Sequence, residues 1–86
     1  MIKYYKALYN EVEKMRYNLT NEFTQINESS AVFYNFGSNP IEISSSQVNN
    51  SGFILLSGQK QQIKSDSNIY ARSLEAIGKL NVVSLL

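Results

Sequence analysis

The chain of 86 residues contains no cysteine, no histidine and no tryptophan. Without cysteine there is no disulfide and no thiolate site. Without histidine the commonest metal ligand and the usual base of a nucleophilic triad are both missing. The four glycines, at positions 37, 52, 58 and 78, lie far apart beside turn signals, so no phosphate-cradling loop exists. No apolar run approaches the roughly 18 residues that cross a bilayer. The opening Met1-Ile2-Lys3-Tyr4-Tyr5 lacks the apolar core and cleavage site of a signal peptide. The expectation is a soluble protein made in the cytoplasm. Eight basic and seven acidic residues leave a formal charge of +1. That balance supplies no electrostatic footprint for nucleic acid or an anionic membrane, and neither is expected as a partner.

Catalytic groups are equally sparse. A Ser-Lys pair would need a desolvated lysine, yet Lys60, Lys64 and Lys79 stand in turn or strand contexts where lysine is solvated. Glu11 and Glu13 are two apart, and Glu22, Glu28, Glu42, Asp66 and Glu75 are scattered, so no carboxylate pair is set up for acid–base work. Asp66-Ser67-Asn68 has turn chemistry and falls far short of a calcium loop. No enzyme, cofactor or metal site is expected. Arg72 is the one cation inside a predicted strand; Glu42, Glu75 and a neighbouring chain are all open to it as partners, and structural pairing is its default role.

What is present is a long apolar spacing followed by strand patterns. Met1, Tyr5, Leu8, Val12, Met15, Leu19 and Ile26 recur at alternating gaps of four and three, with Glu22 taking the slot before Ile26. This predicts a helix over residues 1–27 whose seam holds copies of the chain together in a coiled-coil-like bundle. The expected oligomer interface is Tyr5, Leu8, Val12, Met15 and Leu19, flanked by Glu11 and Arg16, whose g and e positions allow pairing between chains. Packing of the same stripe on the chain's own sheet is the other arrangement open to it. Dimer and trimer are not separated by these residues.

From residue 31 the period becomes two. Expected strands cover 31–36, 41–44, 53–56, 61–64, 69–73 and 79–86, divided by Gly37-Ser38-Asn39-Pro40, the polar stretch 45–52, Ser57-Gly58 and Asp66-Ser67-Asn68. Helix followed by short strands gives an α+β class: an N-terminal helical stem, 1–27, then a small antiparallel sandwich or barrel, 31–86. The six tyrosines and four phenylalanines suit protein interfaces better than ligand stacking.

The strand region carries a recognisable pattern: an aromatic strand ending in Asn35, then Asn39-Pro40-Ile41-Glu42-Ile43, then Gly52-Phe53-Ile54-Leu55-Leu56-Ser57-Gly58-Gln59, then Ile69-Tyr70-Ala71-Arg72-Ser73 and a closing Val82-Val83 strand. It resembles small virion proteins of tailed bacteriophages, of the head-fibre, decoration or tail-associated kind. The proline usual before the glycine is Ser57 here. The resemblance implies a non-enzymatic structural protein in the virion that self-associates, as a trimer, and decorates or connects parts of capsid or tail. Its partners would be itself and other virion proteins. It implies no catalytic residue. Two further functions compete. One is a host-receptor or carbohydrate-binding module using Tyr34, Tyr70 and residues 45–52. The other is a cytosolic adaptor that docks its helix in a partner's groove.

Overall fold

The computed structural model describes residues 14–28 and 30–84. These form eight strands: β1 (Lys14–Leu19), β2 (Thr24–Ile26), β3 (Ser30–Asn35), β4 (Ile41–Ser44), β5 (Phe53–Leu55), β6 (Lys60–Lys64), β7 (Ile69–Ser73) and β8 (Gly78–Ser84). They build two four-stranded antiparallel sheets, β1-β8-β3-β6 and β2-β7-β4-β5. β1 pairs with β8, β2 with β7, β3 with β6 and β4 with β5. The two halves of the chain thus run as one long antiparallel ribbon folded over on itself, the strand order of a jelly roll.

The core lies between the sheets. Leu19, Ala31, Phe33, Leu80 and Val82 come from the first sheet, and Ile26, Ile41, Ile43, Leu55, Ile69 and Ala71 from the second. β3 and β7 alternate buried and half-buried positions along their length, which is the period-two signature of strands with one face inward.

The α+β expectation is overturned: among the described residues the class is all-β. The expected helix 1–27 is strand over Lys14–Leu19 and Thr24–Ile26, and its remaining positions before residue 14 lie outside the described residues. The physical reason is visible in Lys14-Met15-Arg16-Tyr17-Asn18-Leu19, which alternates polar and apolar without a break. Met15 and Leu19 are four apart, an even spacing that shares a helix face and a strand face equally well. Strand wins because β8 and β7 would otherwise be sheet edges, and pairing them lets Leu19 and Ile26 enter the core. Thr20 to Glu22 turn the chain: the Glu22 N–H donates to Thr20 Oγ1, and Asn21 Nδ2 donates to the Ser73 and Glu75 carbonyls.

One end of the sandwich is tied by Asn35, fully buried at the end of β3. Its Nδ2 donates to the carbonyls of Asn39 (2.8 Å) and Leu55 (2.9 Å), and its Oδ1 accepts from the Gly37 N–H (3.1 Å). Its main chain accepts from Gly58 and donates to Gln59. The Gln59 side chain in turn accepts from the Leu56 N–H at 2.8 Å. Gly58 has φ of +81°, a conformation that a side chain resists. Asn35, Asn39, Leu55, Leu56, Gly58 and Gln59 are therefore wired to one another. They are a folding corner that joins the two sheets, with every polar group of the buried amide satisfied.

Candidate functional site

The outer face of the second sheet carries an ion pair set into a loop. Glu42 and Arg72 are directly opposite in the β4–β7 register. Glu42 is fully buried although it points away from the core, because residues 45–52 fold back over it. Its Oε1 accepts from Arg72 Nε and Nη2, both at 2.8 Å, and from the Asn50 N–H at 3.1 Å. Its Oε2 accepts from the Gly52 N–H at 2.9 Å. The Arg72 guanidinium also lies 5.3 Å from the Phe23 ring centroid. Burial alone would raise the Glu42 carboxyl. The hydrogen bonds from Gly52, Asn50 and Arg72, with the Arg72 charge, outweigh that and hold it below its usual value of 4.5.

This carboxylate is an anchor: it accepts from Arg72 and from two loop N–H groups, and these contacts keep it ionised. It fixes residues 45–52. Ser44 Oγ meets Ser51 Oγ at 2.7 Å and accepts from the Ser46 N–H at 3.1 Å. A Cβ at Gly52 would stand 2.0 Å from the Ile43 carbonyl oxygen, so only glycine lets the loop lie this close. Asn50 adopts φ of 65°, which asparagine tolerates.

The anchored loop leads into β5, an edge strand, and here apolar side chains face outward. Ile54, opposite Glu42 in register, is 44% exposed, Leu56 53% and Val48 63%. Phe53, on the other side of β5, is 43% exposed and lines a cleft of about 390 Å³ between the open edges of the sheets. Ile43, Ile63 and Ile69 give that cleft its other apolar lining, and Ser44, Ser45, Ser51, Ser65 and Lys64 its polar lining. A concave surface that combines apolar side chains with polar groups is the usual shape of a binding site. No group of three or more acidic residues that could hold a metal occurs among the described residues.

Of the seven expected interface residues, Met15, Arg16 and Leu19 fall among the described residues. Tyr5, Leu8, Glu11 and Val12 lie outside the described residues. Leu19 is fully buried in the chain's own core, Met15 is 42% exposed on the same side of β1, and Arg16 stands on the opposite side with its guanidinium 5.7 Å from the Phe36 ring centroid. Tyr70 and residues 45–52 share the outer side of the second sheet, whereas Tyr34 is on the first sheet, so those three do not form one site. The exposed row beside β5 went unread because Phe53-Ile54-Leu55-Leu56 looks like a buried strand. Its short length and the flanking polar loops were the available sign of an edge.

Comparison with protein-family models, with curated proteins and with solved structures finds no match to this chain.

Proposed function

We propose that the chain is a non-enzymatic structural protein of a tailed-bacteriophage particle, which self-associates and decorates or connects parts of the capsid or tail. The observation that carries this reading is the exposed apolar group at the β5 edge, Val48, Ile54 and Leu56, held in place by the buried Glu42–Arg72 anchor. An apolar edge strand on a rigid support is built to be covered by protein. The jelly-roll strand order and the phage-like corner residues are in keeping with it, at the level of fold and pattern only. Symmetric assembly would multiply weak contacts from each small protomer.

Sedimentation of the full chain tests the reading. A defined oligomer is expected, and Ile54→Asp with Leu56→Asp should reduce it to protomers while leaving the β spectrum intact. A compact monomer at high concentration, or an oligomer indifferent to the double change, counts against it. A carbohydrate-binding module is the second reading, favoured by the hydroxyl-lined cleft beside Phe53. A glycan array without hits, or hits unchanged in Phe53→Ala, removes it.

A further inference from the structure

The outer face of the first sheet carries charge of one sign. Arg16 on β1, Lys79 on β8, and Lys60 and Lys64 on β6 occupy outward positions. No acidic residue occupies an outward position on any of the four strands. Between the flanking cations, on the central strand β3 and just beyond it, stand Tyr34 and Phe36, with ring centroids 6.4 Å apart. Each ring has a cation near it: Lys60 Nζ is 5.3 Å from the Tyr34 centroid and Arg16 is 5.7 Å from that of Phe36. Asn81 lies in the same cross-strand row, Arg16–Asn81–Tyr34–Lys60. It is 9% exposed, and its Oδ1 has no hydrogen-bond partner among the described residues.

We propose that this face binds single-stranded nucleic acid, with phosphates on Arg16, Lys60, Lys64 and Lys79 and bases stacked on Tyr34 and Phe36. Cations flanking rings on an open sheet are the parts that such binding uses, because every base offers a stacking face and every nucleotide a phosphate. Asn81, opposite Tyr34 in register, offers Oδ1 as an acceptor without a partner among the described residues. When a phosphate draws the long side chains of Arg16 and Lys60 off the rings, a base amino group gains access to it. Three of the four cations are lysines, which protein–protein interfaces disfavour, so an acidic protein surface fits less well. Among the described residues the face is a sheet with no helix or ribbon to enter a duplex groove, and paired bases present no free stacking face, so a single strand suits it better than a duplex. The chain-wide charge of +1 averages over this face and the acidic residues elsewhere. The inference does not depend on a place in a phage particle.

The test is fluorescence anisotropy of the full chain with a labelled oligothymidylate of about twenty nucleotides. Binding is expected at low salt, with log K falling against log salt at a slope of about −3, the value for four neutralised phosphates on a single strand. Lys60→Glu with Lys64→Glu, both at exposed positions, should weaken binding by at least about tenfold and flatten the slope. Tyr34→Leu, which keeps an apolar side chain in that half-buried place, should weaken binding by about tenfold and leave the slope unchanged. Circular dichroism checks the fold of each variant, and Phe36→Leu serves in place of Tyr34→Leu if the latter unfolds. No binding at low salt, a slope nearer −1, tighter binding of the duplex, or poly-L-glutamate binding as tightly with neither ring mattering would each overturn the proposal.

Discussion

The two outer faces of this sandwich treat charge in opposite ways. On the second sheet the one arginine is matched to a buried carboxylate, to which a covering loop donates two of its N–H groups. On the first sheet four cations stand on the surface without an acidic neighbour in the sheet, and two of them rest on aromatic rings. The same residue types therefore have different consequences. An ion pair formed on a buried carboxylate sets geometry, because removing either member strands the other. Exposed cations add almost nothing to stability and remain available to a partner.

The sharpest way to break this contrast is Glu42→Ala. It leaves the Arg72 guanidinium and the Asn50 and Gly52 N–H groups without their acceptor, and should cost about 3–5 kcal/mol, read from urea unfolding. Replacing both charged residues, Glu42→Met with Arg72→Met, removes the stranded charge but still leaves two loop N–H groups unpaired. The expected loss is smaller, about 1–3 kcal/mol. A double variant as unstable as Glu42→Ala would show that the loop contacts, and not the buried charge, dominate the face.

Acid provides a milder perturbation of the same cluster. The Glu42 carboxyl is depressed in the folded chain relative to its usual 4.5. The unfolded chain therefore takes up this proton first as pH falls. The stabilisation is complete above the unfolded value and is lost as pH drops through the lower folded value. Thermal unfolding from about pH 6 to about pH 3 should show a falling midpoint, and Glu42→Gln should remove part of that slope. An unchanged slope in Glu42→Gln would place the acid sensitivity elsewhere.

The sequence showed some of this contrast and concealed the rest, for reasons that differ by residue. Ile41-Glu42-Ile43-Ser44 and Ile69-Tyr70-Ala71-Arg72-Ser73 alternate cleanly, and their strands fall where alternation puts them. The sequence leaves Glu42, Glu75 and a neighbouring chain open to Arg72, and the β4–β7 register pairs it with Glu42. Lys14–Leu19 carries equally clear alternation, but the four-residue gap from Met15 to Leu19 also fits a helical seam, and the longer spacing pattern masked the shorter one. The one-signed face was hidden for another reason. Arg16, Lys60, Lys64 and Lys79 are distant in sequence, and only the β1-β8-β3-β6 order gathers them, while chain-wide charge counts cancel them against acids elsewhere in the sequence. The residues of the Asn35 corner were legible as a pattern, but their mutual hydrogen bonds needed the fold.

The smallest effects are expected on the cationic face, and their smallness is what makes them informative. Lys64→Ala and Lys79→Ala remove exposed side chains with no ion-pair partner among the described residues. Each should change stability by no more than about 0.5 kcal/mol. Because the four cations share one side of one sheet, they repel one another, and Lys60→Glu should stabilise slightly at low ionic strength by turning repulsion into attraction. That gain is opposed by loss of the Lys60 contact with the Tyr34 ring. Raising salt from about 20 mM to about 500 mM should screen the repulsion, stabilise the parent chain slightly and erase the advantage of Lys60→Glu. The buried Glu42–Arg72 pair is screened far less, so the cost of Glu42→Ala should persist across the same salt range. A cost of Glu42→Ala that collapsed with salt would mean the second face is as open to solvent as the first, and the distinction between an anchoring face and an available one would be lost.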